Sequence, residues 1–166
     1  TSRPTFVELD DYVPISFRSY EQGLGGVRDV RLGGLSPSFL ELTLGLDSKT
    51  LRGFTLLCFE SIHSPPPVCD LVETVGLPIL DIDEARFQGR LATQWLDLPT
   101  TFSVGFGEDF LEIDLGLVAT ADRAIVCGPA KFLVSSASLV GIRVSGLSPE
   151  QLTKVQGMVS TQSRDA

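Results

Sequence analysis

The sequence predicts a β-rich α+β domain: seven to nine strands in mostly antiparallel sheets, one mid-chain helix and one C-terminal helix. Three observations carry that expectation. Apolar and polar residues alternate over several short runs, turn-forming residues separate those runs closely, and only two stretches space their apolar residues by three and four. With 166 residues, 43% hydrophobic and 20% charged, the chain is long enough to bury a substantial core. No linker or low-complexity stretch divides it, so residues 1–166 are expected to form one domain.

Taken in order, strands are expected over Tyr12 to Phe17 and Val27 to Leu32, followed by Phe39 to Leu46. In that third run Leu40, Leu42, Leu44 and Leu46 share one face, and Glu41, Thr43 and Gly45 the other, the period of two that a half-buried strand requires. Asp47-Ser48-Lys49-Thr50 supplies a turn, and Leu51 to Phe59 returns as a more continuously apolar strand, completing a hairpin. Pro66 and Pro67 then precede Val68, Leu71, Val72 and Val75, a helical stripe that Gly76 and Pro78 stop.

Phe102 to Phe106 and Phe110 to Leu117 follow, joined by the turn Gly107-Glu108-Asp109. The second of these matches Phe39 to Leu46 at six of eight positions, with Leu111, Ile113, Leu115 and Leu117 expected inside and Glu112 and Asp114 outside. Duplication of a hairpin unit, 39–59 and 110–134, would explain the likeness; so would two amphipathic strands obeying one pattern. Ala124 to Cys127, Lys131 to Ser135 and Leu139 to Val144 are further strands, with Gly128-Pro129 as a tight turn.

The C-terminal helix opens on Ser148-Pro149-Glu150-Gln151. This is a capping box in which Ser148 and Gln151 satisfy each other's amides, Pro149 takes the first helical position and Leu147 and Leu152 form a staple. Leu152, Val155 and Val159 are its expected inner face, and the polar tail 161–166 is expected to fray.

Charge narrows the function. The net charge is −8, which argues against direct contact with nucleic acid or an anionic membrane, since both select basic surfaces. No apolar run approaches the ~18–20 residues of a membrane span, none reads as a signal peptide, and Cys58, Cys69 and Cys127 are odd in number without C-x-x-C spacing. A reduced, cytoplasmic protein is expected. The acid excess is concentrated: from Glu60 to Asp122 there are twelve acids against Arg86 and Arg90, while the remainder is nearly balanced. Such clustering either solubilises the surface or steers a cationic partner.

Catalytic and cofactor signatures are weak. The one histidine, His63, could serve Cys58 or Cys69 only in an acidic neighbourhood that disfavours a thiolate. Asp81-Ile82-Asp83-Glu84 and the Glu112/Asp114 pair lack the convergence of a glycosidase or metal site. Gly23-Leu24-Gly25-Gly26 departs from the phosphate-binding fingerprint. No catalytic residue, metal or cofactor is therefore assigned, and no enzyme activity is expected. Trp95, the only tryptophan, is either a core anchor or an interface contact.

Three stretches resemble bacterial immunity proteins, the partners of polymorphic or contact-dependent growth-inhibition toxins: Leu42 to Leu56, Gly76 to Asp81, and Leu139 to Ser148. The resemblance implies a non-enzymatic protein that binds and neutralises one cognate toxin domain. If that toxin is a basic nuclease, an acidic face would complement it, and the partner-binding candidates are Asp81, Asp83, Glu84, Trp95, Glu108 and Asp109. The competing class is a small-molecule-binding protein or enzyme whose cleft assembles from distant residues.

Overall fold

A computed structural model describes residues 5–19, 25–34, 38–65, 70–90, 94–117 and 119–162, the side chains of 159–162 excepted. Among them are thirteen strands and one α-helix. The first eight strands are β1 (Thr5–Glu8), β2 (Ile15–Ser19), β3 (Val27–Gly33), β4 (Phe39–Gly45), β5 (Leu51–Cys58), β6 (Ile62–His63), β7 (Val72–Val75) and β8 (Gln94–Leu98). There follow β9 (Ser103–Phe106), β10 (Phe110–Asp114), β11 (Arg123–Cys127), β12 (Ala130–Ser135), β13 (Ser138–Ser145) and α1 (Pro149–Gln162).

The strands form two mixed sheets, one of six strands in the order β1-β2-β5-β4-β3-β8 and one of seven in the order β6-β9-β10-β13-β12-β11-β7. The order repeats. Strands β1 to β5 are arranged as β9 to β13 are, each set being a three-strand meander with its second strand returning beside the fifth, a Greek-key path. Each sheet is then extended by a parallel strand, β8 beside β3 and β7 beside β11. The antiparallel pairs follow from tight connections such as Gly128-Pro129, where positive φ at the glycine suits a two-residue hairpin.

The sheets face each other across one core. Ile15, Phe17, Val30, Leu40, Leu42 and Phe54 from the first meet Leu111, Ile113, Phe132, Ile142 and Val144 from the second, and Leu152 and Val155 of α1 join the same cluster. Phe17 spans the two layers, its ring 5.6 Å from Phe54 and 6.0 Å from Phe132.

The helix starts as its cap dictates. Ser148 N–H donates to Gln151 Oε1 at 2.8 Å and Gln151 N–H to Ser148 Oγ at 3.1 Å, with Leu147 and Leu152 both buried. Replacing Ser148 with alanine removes the acceptor for an otherwise orphaned amide. It should cost about 1 kcal/mol, read as a lower urea midpoint with unchanged slope.

Several expectations need correction. The described strands number thirteen instead of seven to nine, because β1, β6, β7 and β8, short strands at the four sheet edges, are defined by pairing with a neighbour and not by local alternation. Among the described residues the mid-chain helix is absent: its proline-led part, 66–69, lies outside them, and Val72–Val75 is a strand. Val72, Thr74 and Val75 are β-branched, and parallel pairing with Arg123–Val126 uses their backbone. Val72 and Val75 are 72% and 90% exposed, so the i, i+3 stripe has no core to bury it. Tyr12 precedes its strand, in a turn where Asp10 Oδ1 accepts the Tyr12 and Val13 amides, bonds that hold the Asp10 carboxyl below its ordinary range. The stretch 110–134 is not a hairpin, because β10 pairs with β9 and β13, and β11 with β12 and β7. Finally, Glu112 is not on the open surface, being only 4% exposed, and Leu117, expected inside, is 46% exposed because β10 ends at Asp114 and alternation stops there. Among the described residues no helix is long and apolar enough to cross a membrane.

Candidate functional site

The connection 76–88 leaves the seven-stranded sheet at β7 and reaches the six-stranded sheet at β8. It has one short 3-10 turn, Glu84–Arg86, yet it is fixed along its length. Leu77, Leu80, Ile82 and Phe87 pack on the core. Between them the backbone is pinned: Leu51 N–H donates to Pro78 O at 2.8 Å, Leu80 N–H to Lys49 O at 3.0 Å, and Ile79 bridges Thr50. Gln88 and Trp95 exchange two backbone bonds, of 2.7 and 3.0 Å, at its far end.

This strap displays the first three acidic candidates together. Asp81 is 88% exposed and takes a 2.7 Å bond from Lys49 Nζ. That bond depresses the Asp81 carboxyl and raises the Lys49 ammonium from their ordinary values. Asp83 Oδ1 caps the 3-10 turn by accepting Ala85 N–H at 3.0 Å. Glu84 reaches back to Arg28, 3.5 Å away. Arg28 is buried; it donates to Leu46 O and lies 4.8 Å over the Phe87 ring, so one cation ties the strap to β3.

Trp95 stands beside the strap on β8. Strand register places it with Asp29 and Arg31, on the outer face of the sheet, while Leu96 points inward beside Val30. Its ring carries the Arg31 guanidinium at 5.4 Å, and Arg31 also pairs with Glu41 at 3.4 Å. Partial burial, with the Asp29 carboxylate next in importance, pushes the Glu41 carboxyl up, and Arg31 only partly opposes them.

Glu108 and Asp109 are elsewhere. They form the β9–β10 turn, where Asp109 O accepts Leu147 N–H at 2.9 Å ahead of the helix. Leu80 and Ile82 of the strap adjoin Leu115 and Leu117, beyond the other end of β10. Six residues of extended chain, about 20 Å, separate those two ends. The structure therefore groups Asp81, Asp83 and Glu84 on the strap, sets Trp95 on the outer sheet face beside Gln88 at the strap's far end, and leaves Glu108 and Asp109 apart.

The charge segregation of the sequence is also partly undone in space. Glu73, Asp81, Glu84, Glu112 and Asp122 meet Lys131, Lys49, Arg28, Arg143 and Arg123, all bases from outside 60–122. Glu112 is the deepest of these acids. Its Oε2 accepts both Nε (2.7 Å) and Nη2 of Arg143, whose guanidinium also covers Phe110 at 4.4 Å. On the other side His63 Nε2 is 3.9 Å from Glu112 Oε1, while His63 Nδ1 and Ser103 Oγ are hydrogen-bonded at 3.0 Å. Glycine at 105 makes that approach feasible, because a Cβ there would sit 2.8 Å from His63 Nε2.

No sequence motif marks this His63–Glu112–Arg143 row; only the pairing of β6, β9, β10 and β13 assembles it. His63 is thus engaged with Ser103 through Nδ1, while its buried Nε2 faces Glu112 without a hydrogen bond. The Cys58 thiol is pushed up by burial, against a weaker opposing contact with the Phe39 backbone, the reverse of nucleophile activation. Cys69 lies outside the described residues. Compared with known proteins, the chain matches no family model and no curated relative.

Proposed function

We propose that the protein is an immunity-type inhibitor that binds and neutralises a basic bacterial toxin domain, of nuclease type, in the cytoplasm. The observation that supports this reading is the strap 76–88, a surface connection whose backbone is pinned at both ends, which displays Asp81, Asp83 and Glu84 and is bonded to Trp95 at its far end through Gln88. A loop ordered before its partner arrives loses little further entropy on binding, so more of the contact energy is available as affinity. Carboxylates at its surface steer a cationic partner and then accept charge-assisted hydrogen bonds. Trp95 adds a rigid aromatic surface at the strap's far end. In this reading the protein acts by occupying the toxin's site and performs no chemistry.

The test expresses the proteins encoded on either side of this gene as candidate toxin domains, with growth rescue and stopped-flow binding as readouts. The variant Asp81→Lys, Asp83→Asn, Glu84→Lys keeps an acceptor at the 3-10 cap while reversing the local charge. It should lower the association rate about ten-fold at low salt and flatten its salt dependence. Glu108→Lys with Asp109→Lys should change the rate far less. Equal rates for wild type and the strap variant would remove the acidic strap as the contact. A wild-type protein that rescues no growth would remove the inhibitor reading altogether.

A further inference from the structure

The outer face of the seven-stranded sheet encloses a cavity of about 210 Å³, separate from the strap. Strand register makes its floor a two-row grid. Glu112, Arg143 and Lys131 lie side by side in one row, and Asp114, Gly141 and Leu133 in the next. The central position of the second row is the one without a side chain, and a Cβ on Gly141 would meet Leu133 Cδ1 at 3.3 Å. Leu71, Val140 and Leu133 supply apolar wall, and exposed Ala119 stands at the rim.

The floor keeps unused hydrogen-bonding capacity of both kinds. Arg143 spends Nε and Nη2 on Glu112 Oε2, which leaves Arg143 Nη1 and Glu112 Oε1 without hydrogen bonds among the described residues, Oε1 having His63 Nε2 3.9 Å away. Asp114 Oδ1 accepts Gly116 N–H at 2.9 Å, which leaves Oδ2. Lys131 is paired with Glu73. Three carboxylates against two cations disfavour a simple anion, and a floor of buried charge disfavours a wholly apolar guest.

We infer that this cavity binds a free aliphatic amino acid. The ammonium fits between Glu112 Oε1 and Asp114 Oδ2, the carboxylate faces Arg143 Nη1, and the aliphatic side chain lies against Leu71, Leu133 and Val140. Each charged end then meets its complement, and neither is desolvated without a partner.

Isothermal titration of the whole protein with L-leucine tests the inference, with leucinamide and 4-methylpentanoate as probes that keep only the cation or only the anion. Leucine should bind saturably at one site per chain, and each single-charge probe about ten-fold more weakly. Asp114→Asn retains the acceptor for Gly116, and Ala119→Trp closes the rim from an exposed position. Each should weaken leucine binding about ten-fold while leaving the circular dichroism spectrum unchanged. Absence of saturable leucine binding overturns the inference. So does binding that Ala119→Trp leaves unaltered, which would put the ligand elsewhere, or leucinamide binding as tightly as leucine. None of these results bears on the acids of the strap, which lie at the other sheet's turn.

Discussion

Replacing Arg143 with alanine is expected to lower the unfolding free energy by ~3–5 kcal/mol, measured by urea denaturation at neutral pH. The reason is what the substitution leaves behind. Glu112 is 4% exposed, and both of its hydrogen bonds come from Arg143. Without the guanidinium its carboxylate keeps only His63 at 3.9 Å, beyond hydrogen-bonding range. Removal of one partner is far costlier than removal of both, because a lone buried charge has lost water and gained nothing in exchange. The double variant Glu112→Leu, Arg143→Met should therefore recover most of the loss. A single-variant cost below about 1 kcal/mol would mean that water reaches the pair freely, and the enclosed floor proposed for the cavity would fail with it.

Glu112 also shows where sequence reasoning stops. Alternation along Phe110–Asp114 correctly turns Leu111 and Ile113 inward and Glu112 outward, because a period of two records which face meets the core. Outward, however, is not the same as exposed. Burial on the outer face depends on neighbours across the sheet and on the loop carrying Leu117 and Ala119, and no local pattern encodes them. The helix α1 was legible for the opposite reason: Ser148, Gln151, Leu147 and Leu152 all act within one turn of each other. Strand β7 was misread because its apolar residues satisfy a helical spacing by coincidence, while its identity comes from β11, some fifty residues away.

The same distinction governs the two resemblances along the chain. Phe39 to Leu46 and Phe110 to Leu117 are alike in residues but occupy different positions, the first between β3 and β5, the second between β9 and β13. The positions that do correspond are β4 with β12 and β5 with β13, where the sequences differ. An eight-residue likeness thus reports a shared burial pattern, whereas the repeated strand order is a property of the whole path. For the candidate strap, composition indicated three adjacent acids. The contacts that make it rigid, above all Arg28 and the Lys49 backbone, come from residues 30 to 60 positions earlier.

Phe17→Ala is the second large effect, with an expected loss of ~3–5 kcal/mol. The ring is fully buried at the centre of β2 and touches both layers, stacked near Phe54 and edge-on to Phe132. Truncation removes apolar burial and leaves a cavity that two β-sheets, fixed by their hydrogen-bond ladders, cannot readily close. Phe17→Leu retains most of the volume and should cost less than half as much, separating the packing contribution from the aromatic contacts, which are worth about 0.5–1.5 kcal/mol each. The strap supplies an internal check. Its anchors Leu80 and Ile82 belong to the same core cluster, so loosening that cluster should also slow association with the proposed toxin partner, although Phe17 lies far from the acids. A variant that loses the stability but keeps the association rate would show that the strap is held by its own hydrogen bonds to the β4–β5 turn, independently of the layers beneath it.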